Sequence, residues 1–358
     1  MNDRRGDPRV GRIGVGLIGA GKHGQRYAGH LGTDVPELAL AALARRDAGR
    51  GAEQARALGC TFHRDWEALV ADPAVEAVVA VVPPSLHPAI AATAAAARKP
   101  LLIEKPLATT GAAALEIVRV LRGAGVPTLM AHTLRWNGVV RAIRERLPAL
   151  GPLRALSLNQ RFEPSPLTWL DDPSRAGGGI ILHTGVHSFD LVRWLTGLEV
   201  RRVWCRQARI DTVRTEDNFL AVLELDGSDA LVAVSGSRSS GGRSGLIDAA
   251  SAQGQLVGDH ALGFAYAVRG IERTPLPVGD PVPTVREALR AFARLLEHGE
   301  EPPVTLEDGA RAVQIAEACR RSAVSGRPVT LVRRGRGSGR RGTPPRRPSS
   351  KAARAARS

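Results

Sequence analysis

The sequence predicts an α/β protein of two domains, the first built on a parallel sheet and the second on a separate sheet. Three observations predict it. Apolar strand-like runs alternate with helical segments through the first 132 residues, the pattern of repeated βα units. After residue 200, the segments "VRRVWCRQA", "DNFLAVLELDG" and "DALVAVSGSR" alternate apolar and polar residues, which suits a sheet covered on one face. A chain of 358 residues is long enough for two cores rather than one.

The first strand, Ile13 to Ile18, runs into Gly19, Gly21 and Gly24 in G-x-G-x-x-G spacing, with a helix behind them. Gly19 permits the tight turn, Gly21 lets backbone approach a pyrophosphate, and Gly24 lets the helix pack close. The free N–H groups of the helix start would face the anion, with Lys22 and His23 in the same turn. A second apolar strand, "LALAALA" (38–44), follows at βαβ distance. Together these predict a Rossmann dinucleotide-binding domain over 12–132. At the end of the second strand an NAD site usually carries an acid for the ribose 2′-hydroxyl. Here Arg45 and Arg46 stand there, with Asp47 next to them. A guanidinium suits a 2′-phosphate by charge and geometry, so NADP(H) is favoured and NAD(H) stays possible.

Three more strands follow. "VEAVVAVVPPSLH" (75–87) ends in Pro83, Ser85 and His87; "PLLIEKPLATT" (100–110) carries Glu104, Lys105 and Pro106; "VPTLMAHTLRWN" (126–137) ends in His132, Arg135 and Asn137. Ligands of a parallel sheet bind at the carboxyl ends of its strands. Pro83, Ser85, His87, Glu104 and Lys105 are therefore expected at the cofactor, and Arg135 and Asn137 at the substrate.

Composition narrows the classes. No apolar run reaches the roughly 18 residues needed to span a membrane. The start "MNDRRGDPRVGR" is a poor secretion signal, and residues 1–11 are expected to be flexible. Cys60, Cys205 and Cys319 are odd in number and far apart, unlike a disulfide framework or a zinc site. A cytoplasmic protein is the expectation. Net charge is +15, but residues 333–358 hold ten Lys/Arg and no acid, which leaves +5 for the rest. That Arg-, Gly-, Pro- and Ser-rich tail is expected to be disordered, without a specific nucleic-acid role.

The stretch "GGGIILHTGVHSFDLVRWLTG" (177–197) is the least ordinary in the chain. His183 and His187 stand four apart, one turn of helix and on one face if the helix includes both. Such a pair can share a zinc ion. A metalloprotease pair needs Glu after the first histidine, and Thr184 follows here, so no metal is expected. Acid–base work or substrate binding is the favoured reading. Lys105 lies between apolar "LLI" and Pro106; burial there would lower an amine pKa near 10.4 by the roughly three units a neutral-pH base needs.

"GLIGAGKHG", "VVPPSLH", "IEKPLATT", the 177–197 stretch and "TLEDGARAVQIAEACRRSAVSGRPVTL", in that order, resemble the Gfo/Idh/MocA oxidoreductases over about residues 12–332. The resemblance implies a substrate and oligomerisation domain over 133–332 with a large open, mainly antiparallel sheet, through which a dimer or tetramer forms. It implies NAD(P)-dependent hydride transfer on a cyclic sugar, polyol or related carbonyl compound. An NAD-dependent glycoside-cleaving enzyme that recycles its cofactor and a non-catalytic nucleotide-binding sensor are the alternatives. The family pattern D-x-x-x-H-x-x-D matches His187 and Asp190, and its E-K-P lysine matches Lys105. His183 occupies the usual aspartate position. Lys105, His187 and His183 are thus the expected catalytic groups, and Arg161, Trp169 and Asp190 are expected at the substrate.

Overall fold

The computed structural model describes residues 11–332; the expectations for residues 1–10 and for the basic segment 333–358 lie outside the described residues. The first sheet has six strands in the order β3-β2-β1-β4-β5-β6, all parallel. Its strands are β1 Ile13–Ile18, β2 Leu38–Ala44, β3 Thr61–His63, β4 Ala77–Ala80, β5 Leu101–Glu104 and β6 Thr128–Ala131. Helices α1 Gly24–His30, α2 Ala48–Leu58, α3 Trp66–Ala71, α4 His87–Ala96 and α5 Gly111–Ala124 connect them. Strands β2, β4 and β5 are buried along their whole length, as strands covered on both faces must be. Chain direction across the sheet reverses between β1 and β4, the switch point where such sheets bind ligands.

Helix α6 Gly138–Arg146 leads into the second half, which comprises β7 Leu153–Arg161, α7 Pro173–Ala176 and α8 Val186–Thr196, then β8 Val200–Ala208, β9 Asn218–Leu225 and β10 Leu231–Ser237. It continues with β11 Ser244–Ser251, β12 Gly254–Asp259, β13 Phe264–Arg269 and β14 Glu272–Pro275. Helices α9 Thr284–His298 and α10 Leu306–Ser325 and strand β15 Val329–Thr330 close the described chain. The nine strands form one sheet, β14-β13-β12-β11-β7-β10-β9-β8-β15, in which only β7 and β10 run parallel. One face is covered: Leu156, Leu158 and Gln160 of β7 are buried beneath helices, while their alternating neighbours are half-buried or exposed. Trp204, Leu220, Val222 and Leu231 remain partly exposed on β8, β9 and β10.

The two halves share helices. Helix α9 packs against α1 and β6, and α10 against α5, α8 and β8, so the last helices brace both sheets. Thr305 caps α10 reciprocally with Asp308, each side chain accepting or receiving from the other residue's backbone side. No helix among the described residues is long and apolar enough to cross a membrane.

Candidate active site

The β1–α1 turn has the conformation its glycines predict. Gly19 takes φ +96°, and a Cβ there would sit 2.2 Å from the Val81 carbonyl at the end of β4. A Cβ on Gly24 would sit 1.9 Å from the Gly19 carbonyl, so this glycine lets the helix start close on the turn itself. Gly21 faces open space within 4 Å, the clearance a pyrophosphate needs against backbone. Lys22 and Ser85 are exposed, and Pro83 is half-buried, around the same switch point. These residues fit a dinucleotide.

At the end of β2, Arg45 folds toward this turn, its Nη1 donating to the Ala20 carbonyl at 3.1 Å and to Gln54 Oε1 at 3.0 Å. Arg46 is exposed. Asp47 turns away: its Oδ1 accepts from the Arg50 N–H and caps α2. The acid nearest the expected ribose position is thus spent on a helix.

Glu104 and His87 lie deeper than expected. Glu104 is 4% exposed; its Oε1 accepts from His23 Nε2 at 2.7 Å and Tyr27 Oη at 2.6 Å, and its Oε2 from the Lys105 N–H. Burial pushes its carboxyl up, but His23, Lys105 and Tyr27 outweigh burial and hold it ionised. His87 is fully buried, and its Nδ1 hydrogen-bonds the Leu107 carbonyl at 3.0 Å. Both are held by contacts within the protein at the ends of their strands.

Lys105 rises from β5 between the two halves and donates from Nζ to the His183 carbonyl at 2.9 Å. Burial lowers its pKa from 10.5, opposed by Glu104 and reinforced by Arg238. The three-residue clearance of Gly177–Gly179 lets this chain segment come so close. A Cβ on Gly177 would strike Thr109 at 2.5 Å, and one on Gly179 would strike the Glu216 backbone at 1.8 Å.

The two histidines meet different neighbours, although residues Ile181–Gly185 form a π-helical turn that runs directly into α8. The His183 ring lies against Trp169, centroids 5.5 Å apart, and its Nε2 contacts the Ala176 carbonyl at 2.9 Å. A carbonyl only accepts, so Nε2 carries the proton and Nδ1 is left as an acceptor. Burial, Lys105 and Arg238 lower the His183 pKa to about 3. With its pKa lowered, this imidazole is neutral near pH 7, and its Nε2 ties the turn to the Ala176 carbonyl. His187 lies edge-on to His132 at 5.9 Å, and burial, then Lys105, His132 and His260, push it well below the ordinary value. Neither nitrogen of His132, nor His187 Nδ1, has a hydrogen-bond partner among the described residues.

Four expected substrate residues have partners within the protein. Arg135 and Asp190 form a buried two-point ion pair, with Arg135 Nη1 also donating to the Pro303 carbonyl. Asn137 caps α6 through Oδ1 and donates to the His260 carbonyl through Nδ2. Arg161 projects with Asn159 and Ser235 on the open face of the sheet, where its Nη2 donates to Ser235 Oγ. Strand alternation explains this: Gln160, one residue earlier, faces α8 and donates to Ser188 Oγ at 2.8 Å. Trp169 alone of the expected substrate set stands beside the catalytic candidates. Sequence reasoning passed over His132 as a site residue, and over His260 and Arg238. His132 had a signal in its strand-end position; the other two come from sheet register that no motif marks.

A parallel six-stranded sheet with a glycine turn at its switch point and a buried lysine at a neighbouring strand end defines a nucleotide-dependent oxidoreductase fold. The comparisons carry this further. Residues 13–132 match the model of an oxidoreductase family with an NAD-binding Rossmann fold, and residues 141–261 match the GFO/IDH/MocA C-terminal domain. The chain belongs to the GFO/IDH/MocA oxidoreductase family. It is 29% identical over 332 residues to inositol 2-dehydrogenase 2 of Saccharopolyspora erythraea, covering 88% of this chain and 94% of that one. It is 25% identical over 333 residues to myo-inositol 2-dehydrogenase of Thermotoga maritima, covering 88% and 98%. The structure superposes on levoglucosan dehydrogenase complexed with NADH and levoglucosan with a TM-score of 0.81, at 21% identity, over 90% of this chain and all of that one, a likeness of fold.

Proposed function

We propose that the protein transfers hydride between NADP(H) and a hydroxyl-bearing carbon of a sugar, polyol or related carbonyl compound. The observation that carries this reading is the buried Lys105 amine, brought to His183 and beside His187 at the ends of the parallel strands. The bound nicotinamide supplies the hydride acceptor or donor. In oxidation, Lys105 Nζ takes the hydroxyl proton as the carbonyl forms; in reduction the same ammonium returns it. His187 and His132 present unpartnered ring nitrogens with which to orient the reacting oxygen. Inositol and levoglucosan dehydrogenases among the relatives support a cyclic substrate with several hydroxyls.

NADP(H) is favoured because Arg45 lies against the glycine turn while Asp47 caps α2. Gly19, Gly21, Lys22, His23 and Gly24, with Arg45, Arg46, Pro83 and Ser85, make the cofactor side in this reading. The partly exposed apolar residues of β8, β9 and β10 support a homo-oligomer joined through the open sheet face. The three cysteines form no disulfide among the described residues, which suits a reducing cytoplasm. The test is NADPH and NADH consumption across a panel of sugar-derived ketones and aldehydes, with the reverse reaction on polyols. Turnover with NADPH is expected; no turnover in either direction with either nucleotide sinks the proposal.

A further inference from the structure

Beside Lys105 and His183 stands a cation to which no carboxylate is hydrogen-bonded or ion-paired among the described residues, Arg238. Arg238 follows directly on β10, two residues beyond Gly236. Gly236 faces inward: a Cβ there would meet Phe219 at 2.6 Å and Ile180 at 3.3 Å, and Ile180 opens the turn that carries His183. Strand alternation places Arg238 on this inner side, and the backbone confirms its anchorage, with its N–H donating to the Asp217 carbonyl at 2.8 Å. The guanidinium lies near enough to Lys105 and His183 for its charge to bear on both.

Two acids lie near Arg238, and both are spent on backbone. Glu216 accepts from the N–H groups of Gly179 and Ile181. Asp217 accepts from Ile210, Asp211 and Thr212 and from Asn218 Nδ2. Among the described residues, the Arg238 side chain makes no hydrogen bond or ion pair, although it is only partly exposed. Glu104, the remaining acid near Lys105, is enclosed by His23 and Tyr27. His183 is neutral near pH 7. The site therefore offers two cations, neutral imidazoles and no free carboxylate to a ligand. A partly buried guanidinium without partners is costly unless a ligand supplies the anion.

We propose that Arg238 binds an anionic group of the substrate, so that the preferred substrate is a sugar or polyol bearing a carboxylate or a phosphate ester. This rests on the oxidoreductase reading for its cyclic-sugar framework. The anion fits Arg238 by the planar fork that matches carboxylate and phosphate oxygens. Bound there, it lies beside Lys105 and keeps the reacting hydroxyl at that end of the site.

The test uses the full-length protein saturated with NADPH, a state that cannot oxidise the probes. Methyl glucuronide, methyl glucoside and methyl glucoside 6-phosphate share one ring and differ in the anionic group. Isothermal titration should give at least tenfold tighter binding of one anionic probe than of methyl glucoside. Arg238→Gln should abolish that advantage, and Arg238→Lys should restore part of it. A preference for the glucuronide identifies a carboxylate, and one for the phosphate identifies a phosphate ester. Equal binding of all three probes, or an anionic preference that survives in Arg238→Gln, overturns the proposal. Oxidation of myo-inositol with NADP+, followed separately, distinguishes the two readings. Neutral turnover without an anion preference leaves the oxidoreductase reading standing alone. An Arg238-dependent preference without hydride transfer to any substrate leaves the anion site standing and removes the oxidoreductase reading.

Discussion

Two groups of buried charges in the molecule have opposite character. In the first, Arg135 from the turn after β6 pairs with Asp190 of α8 and reaches Asp308 of α10 at 3.2 Å. Arg193 bridges Asp308 and Glu199, and Arg311 joins Glu199 from α10. Every cation there meets a carboxylate, and burial of Arg135, which alone would lower its pKa, is outweighed by Asp190. In the second, Lys105 and Arg238 face His183 and His187, and the nearby acids are turned toward backbone amides or enclosed. Compensated charges fasten α8, α10 and the β6 turn to one another. Lys105 and Arg238, beside the strand ends, have acids near them but no ion pair, and in the proposed reading a ligand supplies the paired anion.

The sharpest break between the two groups comes from single substitutions. Lys105→Met should lower turnover by about 10²–10⁴-fold while NADPH affinity, measured by titration, stays close to normal. Arg135→Ala leaves Asp190 buried without its partner and should cost about 3–5 kcal/mol in urea unfolding. Arg238→Gln should cost less than about 1 kcal/mol in the same assay, since no ion pair is lost. A stability loss at Arg238 as large as that at Arg135 would erase the distinction.

A smaller effect follows from the neutral imidazole. His183 has its pKa lowered from 6.5 to about 3, so below pH 6.5 the unfolded chain binds a proton that the folded chain does not. Stability from this residue is therefore present above pH 6.5 and is lost as pH falls toward 3. Between pH 6.5 and 5 the loss should be about 2 kcal/mol, and His183→Asn should be spared it. Identical pH dependence of unfolding in the two proteins would return a titrating histidine to this position. Smallest is the cofactor change: Arg45→Asp should weaken NADPH relative to NADH by roughly tenfold, as expected for one charge-assisted hydrogen bond. Unchanged relative affinities in the variant would shift the cofactor choice away from Arg45.

What the sequence made legible divides along the same line. The glycine turn, Lys105 and the alternating strands were readable because a local backbone demand or a short period writes them into neighbouring residues. The π-helical turn at Ile181–Gly185 was not legible, because the letters of a π-turn do not differ from those of an α-helix. Arg135, Asn137 and Arg161 are polar residues at strand or helix ends and Asp190 lies within α8; at all four a ligand contact and a cap or ion pair look alike in sequence. Only the partner decides: Asp190 for Arg135, the α6 amides for Asn137, Ser235 for Arg161. Arg238 was invisible for the complementary reason, since an absent partner has no sequence signature.

The central claim is that Lys105, lowered by burial, carries the proton of the redox step. Single-turnover hydride transfer to NADP+ from a substrate found in the panel tests it most directly, measured across pH in the native protein and in Lys105→Met. The account predicts a rate that rises with pH through one ionisation below the amine's ordinary 10.5 and then levels, with slow, pH-flat transfer in the variant. Near-normal transfer in Lys105→Met, or the same ionisation persisting without the amine, would contradict it.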